Sequence, residues 1–130
     1  MNHVILLHTC LIINSIKTIL SDKNERLNIY KTSLIKWVNN TDYNILIVEN
    51  SNNGNLFREF IKESERVEIL TFIGNNYDTK LGKGYGERLS INYGINNTKK
   101  FKDIDKYFII TGRYYIYNIH EWISKLNDNV

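Results

Sequence analysis

At 130 residues, 42% of them hydrophobic and 24% charged, the chain has the length of one domain with its own core and a composition that excludes a disordered protein. A net charge of +3 permits an anionic ligand without demanding nucleic acid. The single cysteine, Cys10, excludes an intrachain disulfide and gives no argument for an oxidising compartment.

Val4 to Ile13 is apolar apart from His8 and Thr9. No Lys or Arg precedes it, no small-residue cleavage pattern follows, and it is too short to span a membrane, so it is not expected to be a targeting or membrane segment. It reads instead as a buried first strand, Val4 to Leu7, running into a loop, and the expected location is the cytoplasm. Ser15 to Arg26 is polar and poorly patterned. From Arg26 the helical period sets in, with Leu27, Tyr30, Leu34, Trp37 and Val38 on one stripe. Asn39-Asn40-Thr41-Asp42 ends that helix with turn chemistry.

Tyr43 to Val48 is a near-continuous apolar run, as in a parallel strand covered on both faces. Glu49 to Gly54 reads as a loop, and a short helix is expected from Asn55 to Lys62. Val67 to Ile73 is the third strand, and Gly74 to Gly82 a polar loop. Gly84 to Asn97 is helical, with Tyr85, Leu89 and Tyr93 four apart. Lys106 to Ile110 is the fourth strand, closed by Thr111-Gly112-Arg113. Ile119 to Leu126 is the last helix, opened by a capping box of Asn118 and Glu121. Strands alternating with helices predict a single α/β domain, a mostly parallel sheet with helices on both faces, in a Rossmann-like order.

In such sheets ligands bind beyond the carboxyl ends of the strands. Four segments qualify: His8-Thr9-Cys10, Glu49-Asn50-Ser51, the loop from Gly74 to Gly86, and Thr111-Gly112-Arg113. Gly82-Lys83-Gly84-Tyr85-Gly86-Glu87-Arg88 is the densest. Alternate glycines at a helix start bring backbone N–H groups close to a ligand, and Lys83 and Arg88 add positive charge, which suits a phosphate. A glycine-rich turn without a ligand explains the same residues. The segment is neither a P-loop nor a dinucleotide fingerprint, because the spacings differ. Thr111 and Arg113 could hold a phosphate or a sugar hydroxyl, or form a turn with Arg113 paired at the surface. Glu49 ends an apolar strand and either faces a cleft or caps the next helix. His8 reads more readily as a core histidine than as a cleft residue. Asp103-Ile104-Asp105 precedes the fourth strand, at the end opposite the expected cleft. The tyrosines Tyr114, Tyr115 and Tyr117 read as packing within a strand rather than as base-stacking rings.

The order of these segments resembles the nucleotide-binding half of GT-A-type inverting glycosyltransferases. The opening strand with its Thr9 loop, the helix from Arg26 to Trp37, the strand ending in Glu49-Asn50-Ser51 and the glycine-rich start at Gly82 carry the likeness, which runs from Val4 to Asn118. The resemblance implies a nucleotide-sugar donor. Glu49, Asn50 and Ser51 would lie at the nucleoside, Lys83, the backbone from Gly84 to Gly86 and Arg113 at the diphosphate, and Glu87 would be the base toward an acceptor hydroxyl. Where the family carries a metal-binding Asp-x-Asp at the end of the fourth strand, this chain has Thr111-Gly112-Arg113. Arg113 is therefore expected to supply the positive charge, with no cofactor required, although Mn²⁺ or Mg²⁺ is compatible with the chemistry. The family's acceptor half has no counterpart in these residues. That difference supports an alternative reading as a non-catalytic partner-binding module, expected to form a homodimer. A small RNA-binding protein is the third reading.

Overall fold

The four apolar runs become four parallel strands, since each carries branched or aromatic residues on both faces and must be covered on both. A computed structural model describes residues 3–12 and 20–128. The strands are β1 (His3–Thr9), β2 (Asn44–Glu49), β3 (Val67–Thr71) and β4 (Lys106–Thr111), and they lie in the order β3-β2-β1-β4. The pairing is parallel throughout, with Leu6 opposite Leu46 on one side and Ile109 on the other.

Alternation sorts the side chains into two cores. Ile5, Leu7, Ile45, Ile47, Val67 and Ile69 face helix α1 (Leu20–Asn40) through Tyr30, Leu34 and Trp37, and helix α3 (Ile119–Asp128) through Ile119 and Ile123. Val4, Leu6, Leu46 and Val48 face the opposite side with Leu70, Phe101 and Ile109. Helix α2 (Lys83–Asn97) covers that side, adding Ile91 and Tyr93. Each fully buried Leu or Ile contributes about 1.5–3 kcal/mol, so the sheet's central strands carry much of the stability. The fold is α/β with helices on both faces, as the alternation of elements predicts. No helix among the described residues is long and apolar enough to cross a membrane.

Local differences from the sequence reading have local causes. Helix α1 begins at Leu20 rather than near Arg26. Asn24 and Glu25 in its second turn are exposed, and a solvated turn leaves no apolar stripe to read. The expected helix at Asn55–Lys62 is a 3-10 turn, Gly54–Glu59, anchored by buried Phe57. A Cβ on Gly54 would lie 2.7 Å from Thr71 Cβ, and its N–H donates to Thr71 Oγ1 at 3.0 Å, so the turn starts too close to the sheet to form a longer helix. The third strand ends at Thr71, after which Ile73 bridges Ser51 in antiparallel fashion. Helix α3 opens on backbone bonds, Ile119 N–H to Ile116 O and Glu121 N–H to Asn118 O, both 3.1 Å, in place of the side-chain box. Tyr114, Tyr115 and Tyr117 lie in the turns after β4, outside any strand.

Candidate ligand cavity at the switch point of the sheet

After β1 the chain moves to one side, to β2 and β3, and then returns across β1 to β4. The loops leaving β1 and β4 therefore diverge, and a crevice opens between them at the carboxyl edge. The crevice holds a cavity of about 250 Å³ lined by His8, Cys10, Arg26, Tyr30, Asn50, Tyr77, Gly86, Thr111 and Arg113.

Helix α1 builds one wall. Arg26 and Tyr30, one turn apart, grip the loop after β1: Cys10 N–H donates to the Tyr30 hydroxyl at 2.9 Å. Arg26 Nε and Nη2 donate to the Cys10 carbonyl at 2.9 and 2.5 Å. Arg26 is thus spent on the backbone, whereas exposed Arg113 makes no side-chain hydrogen bond or ion pair with the described residues. Among the described residues, Arg113 is the cation of this cavity with a guanidinium open to a ligand. The opposite wall is the start of α2, whose dipole favours an anion there. Gly82, at φ 83°, makes the left-handed entry into that helix. A Cβ on Gly86 would lie 2.5 Å from the Tyr77 hydroxyl oxygen, so glycine there lets Tyr77 reach the cavity.

Two polar atoms at the floor have no partner among the described residues. His8 Nδ1 and Asn50 Oδ1 are buried and unbonded, and Asn50 as a whole is 3% exposed. Such groups cost about 1–3 kcal/mol each if left unpaired, a cost that a bridging water or a ligand group would relieve. Burial lowers the pKa of His8, opposed chiefly by the charge of Glu87 and aided by Arg113 and Arg26, so the imidazole is neutral at pH 7. Larger hollows exist, one of about 440 Å³ at the amino edge beside Tyr43 and His120. Volume alone does not select a site; the switch point combines strand ends, a helix start, an open cation and unpaired polar atoms.

The residues singled out from sequence fall into three groups. Asn50, Gly86, Thr111 and Arg113 line the cavity. Thr9, Glu49 and Ser51 lie outside its lining as a buried support. Thr9 is fully buried and donates to the Val48 carbonyl at 3.0 Å. Glu49, also fully buried, accepts from the N–H groups of Leu11 (3.1 Å), Ser51 (2.9 Å) and Asn53 (2.7 Å) and from the hydroxyls of Ser51 and Thr71. With both oxygens occupied from within the chain, it ties three loops together rather than facing a cleft. Ser51 Oγ, besides donating to Glu49, accepts the Ile12 N–H at 3.1 Å. Glu87 is exposed in the second turn of α2, one residue after Gly86 of the lining, and is not itself part of it. Gly84 and Arg88 are exposed on α2 and are not part of the lining, and the Lys83 side chain lies outside the described residues. Asp103 and Asp105 are exposed before β4, at the amino edge. No group of three or more His, Cys, Asp or Glu among the described residues is arranged to hold a metal.

His8, Cys10, Arg26, Tyr30 and Tyr77 complete the lining; His8, Cys10 and Tyr77 fall in segments that the strand-end rule nominates, whereas Arg26 and Tyr30 read from sequence only as helix residues. The available signal was position: His8 and Cys10 flank the end of the first strand. Cys10 is not a nucleophile, since burial raises its thiol pKa from 9.0 to about 11 and the thiol donates to the Ile12 carbonyl at 3.2 Å. At pH 8 its thiolate fraction is about a hundredfold below that of an ordinary thiol, so iodoacetamide should alkylate it correspondingly slowly, faster as pH rises toward 11. Alkylation at the rate of a free thiol at pH 8, followed by mass spectrometry, would contradict this environment.

Comparison with family models, curated proteins and solved structures gives no match to this chain.

Proposed function

We propose that the chain is a glycosyltransferase-like domain whose cavity between β1 and β4 receives a nucleotide-sugar donor. The observation that carries the reading is the pairing of unbonded, buried His8 Nδ1 and Asn50 Oδ1 with the open Arg113 guanidinium at the switch point. The two buried atoms suit a base or sugar with donors and acceptors, and the cation suits a diphosphate. A volume of about 250 Å³ holds part of such a ligand, with the remainder at the open mouth. The resemblance to the nucleotide-binding half of GT-A-type enzymes supports the same assignment.

In this reading transfer is a direct displacement. The acceptor hydroxyl gives its proton to a carboxylate base, its oxygen bonds to the anomeric carbon, and the bond from that carbon to the diphosphate oxygen breaks. The electron pair leaves with the diphosphate, whose growing charge Arg113 stabilises. Glu87 is the carboxylate assigned as base: it follows Gly86 of the lining, and among the described residues its charge is the largest one acting on His8.

Thermal unfolding with UDP, GDP, CDP and their sugars, each with and without Mn²⁺ and after chelation, tests the reading. A ligand at about a hundred times its Kd adds roughly 2.7 kcal/mol, a rise of several degrees for a domain this size. A rise with one diphosphate that survives chelation is expected. No rise with any nucleotide overturns the donor site.

A second reading, a partner-binding module, is favoured by the free edge of the sheet. β4 is an edge strand whose Tyr107, Phe108, Ile109 and Ile110 are only half-buried, and on α3 Trp122 and Leu126 are 55% and 47% exposed. An edge with no proline and no charge between Lys106 and Thr111 invites pairing with another strand. In this reading two copies associate through β4, and light scattering gives twice the chain mass. A strictly monomeric mass at high micromolar concentration overturns it.

A further inference from the structure

A second hollow, of about 450 Å³, lies between α1 and the turn that follows β4. One wall is a stripe of α1, Asn28, Thr32 and Lys36 at four-residue spacing, with Ser33 beside it; the other is the backbone and side chains of 113–115. That second wall is held in place. Trp37 Nε1 donates to the Tyr114 carbonyl at 3.0 Å, and the Trp37 ring meets Tyr115 edge-on with centroids 5.0 Å apart.

Among the described residues the lining has a single sign of charge: Lys36 and Arg113 are cationic and no carboxylate belongs to it. At its floor, Ser33 is 4% exposed and its Oγ is buried without a partner among the described residues. A helical serine or threonine usually satisfies its hydroxyl on the carbonyl one turn back, as Thr32 does on Asn28 at 3.0 Å. Ser33 lacks that bond, so its hydroxyl is unspent just beneath the floor of the hollow. Two cations and a buried, unspent hydroxyl complement a compact anion and repel an ammonium.

We infer that this hollow is an anion subsite for a phosphate or carboxylate group, and that in the transfer reading this group belongs to the acceptor sugar. The acceptor role rests on that reading; the binding does not. Arg113 lines both this hollow and the cavity at His8, so it joins the two sites.

The test is an amide NMR titration of the full chain with glucose 6-phosphate, glucuronate and glucose. Saturable shifts at Asn28, Thr32, Ser33 and Lys36 are expected with at least one of the two anionic sugars and not with glucose. The arm that saturates identifies the anion. Lys36→Gln should weaken that binding about tenfold or more, and Ser33→Ala should weaken it severalfold, while UDP binding at the His8 cavity stays equal to the parent's. Equal response to glucose, absence of saturable shifts at 28–36, or parental affinity in Lys36→Gln overturns the subsite. Binding of an anionic sugar here by a chain that binds no nucleotide keeps the subsite and overturns its acceptor role.

Discussion

Glu49→Ala is expected to lower the melting temperature by more than about 10 °C. The carboxylate is fully buried and receives five donors from four residues, Leu11, Ser51, Asn53 and Thr71. Those donors come from the loop after β1, the loop after β2 and the end of β3. Removing the acceptor leaves three backbone N–H groups and the Thr71 hydroxyl buried or half-buried with no replacement. Each orphan costs about 1–3 kcal/mol, so even partial relaxation leaves a loss of at least about 3 kcal/mol. Domains of this size hold only about 5–15 kcal/mol in total, and each kcal/mol moves the midpoint by about 3–5 °C. Glu49→Gln should lie between parent and alanine. Its carbonyl can accept from one side, but its NH₂ meets donors on the other. The measurement is thermal unfolding followed by circular dichroism. A Glu49→Ala midpoint equal to the parent's, accompanied by weaker nucleotide binding, would make Glu49 a ligand group rather than a brace.

Arg113→Ala should have the converse signature: folding intact, binding lost. The side chain is exposed and donates to no described group, so its removal breaks no internal bond and should move the midpoint by less than about 2 °C. A bidentate guanidinium–phosphate interaction is worth about 1.5–3 kcal/mol, so the Kd for the nucleotide diphosphate, read by calorimetry, should rise roughly 10- to 100-fold. Arg113→Lys keeps the charge without the fork and should recover part of the loss. Affinity equal to the parent's in Arg113→Ala removes Arg113 from the donor site. Because Arg113 also lines the hollow beside Lys36, the same variant should weaken the anionic sugar, whereas Lys36→Gln should affect that sugar alone.

The architecture was legible because its determinants are local. The run of Ile45, Leu46, Ile47 and Val48 has to be covered on both faces whatever surrounds it, and that need implies a parallel sheet with helices on each side. The carboxyl-edge rule then placed Asn50, Thr111 and Arg113 at the cavity without any side-chain coordinates. Gly86 was legible too, though for a different reason than expected: it makes room for Tyr77 rather than only opening a helix.

The rest depended on which partner a side chain meets, and that is long-range information. Glu49 and Asn50 are adjacent, both polar and both at the end of β2. One is filled by five donors, while the Oδ1 of the other is left unbonded at a cavity floor. Alternation along the strand sends successive side chains to opposite faces, and the loops that pass over each face decide which one is used up. In the same way Arg26 and Arg113 are identical in chemistry. Only the fold places a carbonyl, that of Cys10, within reach of the first and leaves the second open. The sequence by itself determined the α/β architecture and pointed to the edge of the sheet where the candidate cavity lies, because hydrophobic period and strand polarity are properties of short segments. The tertiary structure alone decided which polar groups at that edge are already satisfied, because side-chain hydrogen-bond partners there lie as many as 63 residues apart along the chain.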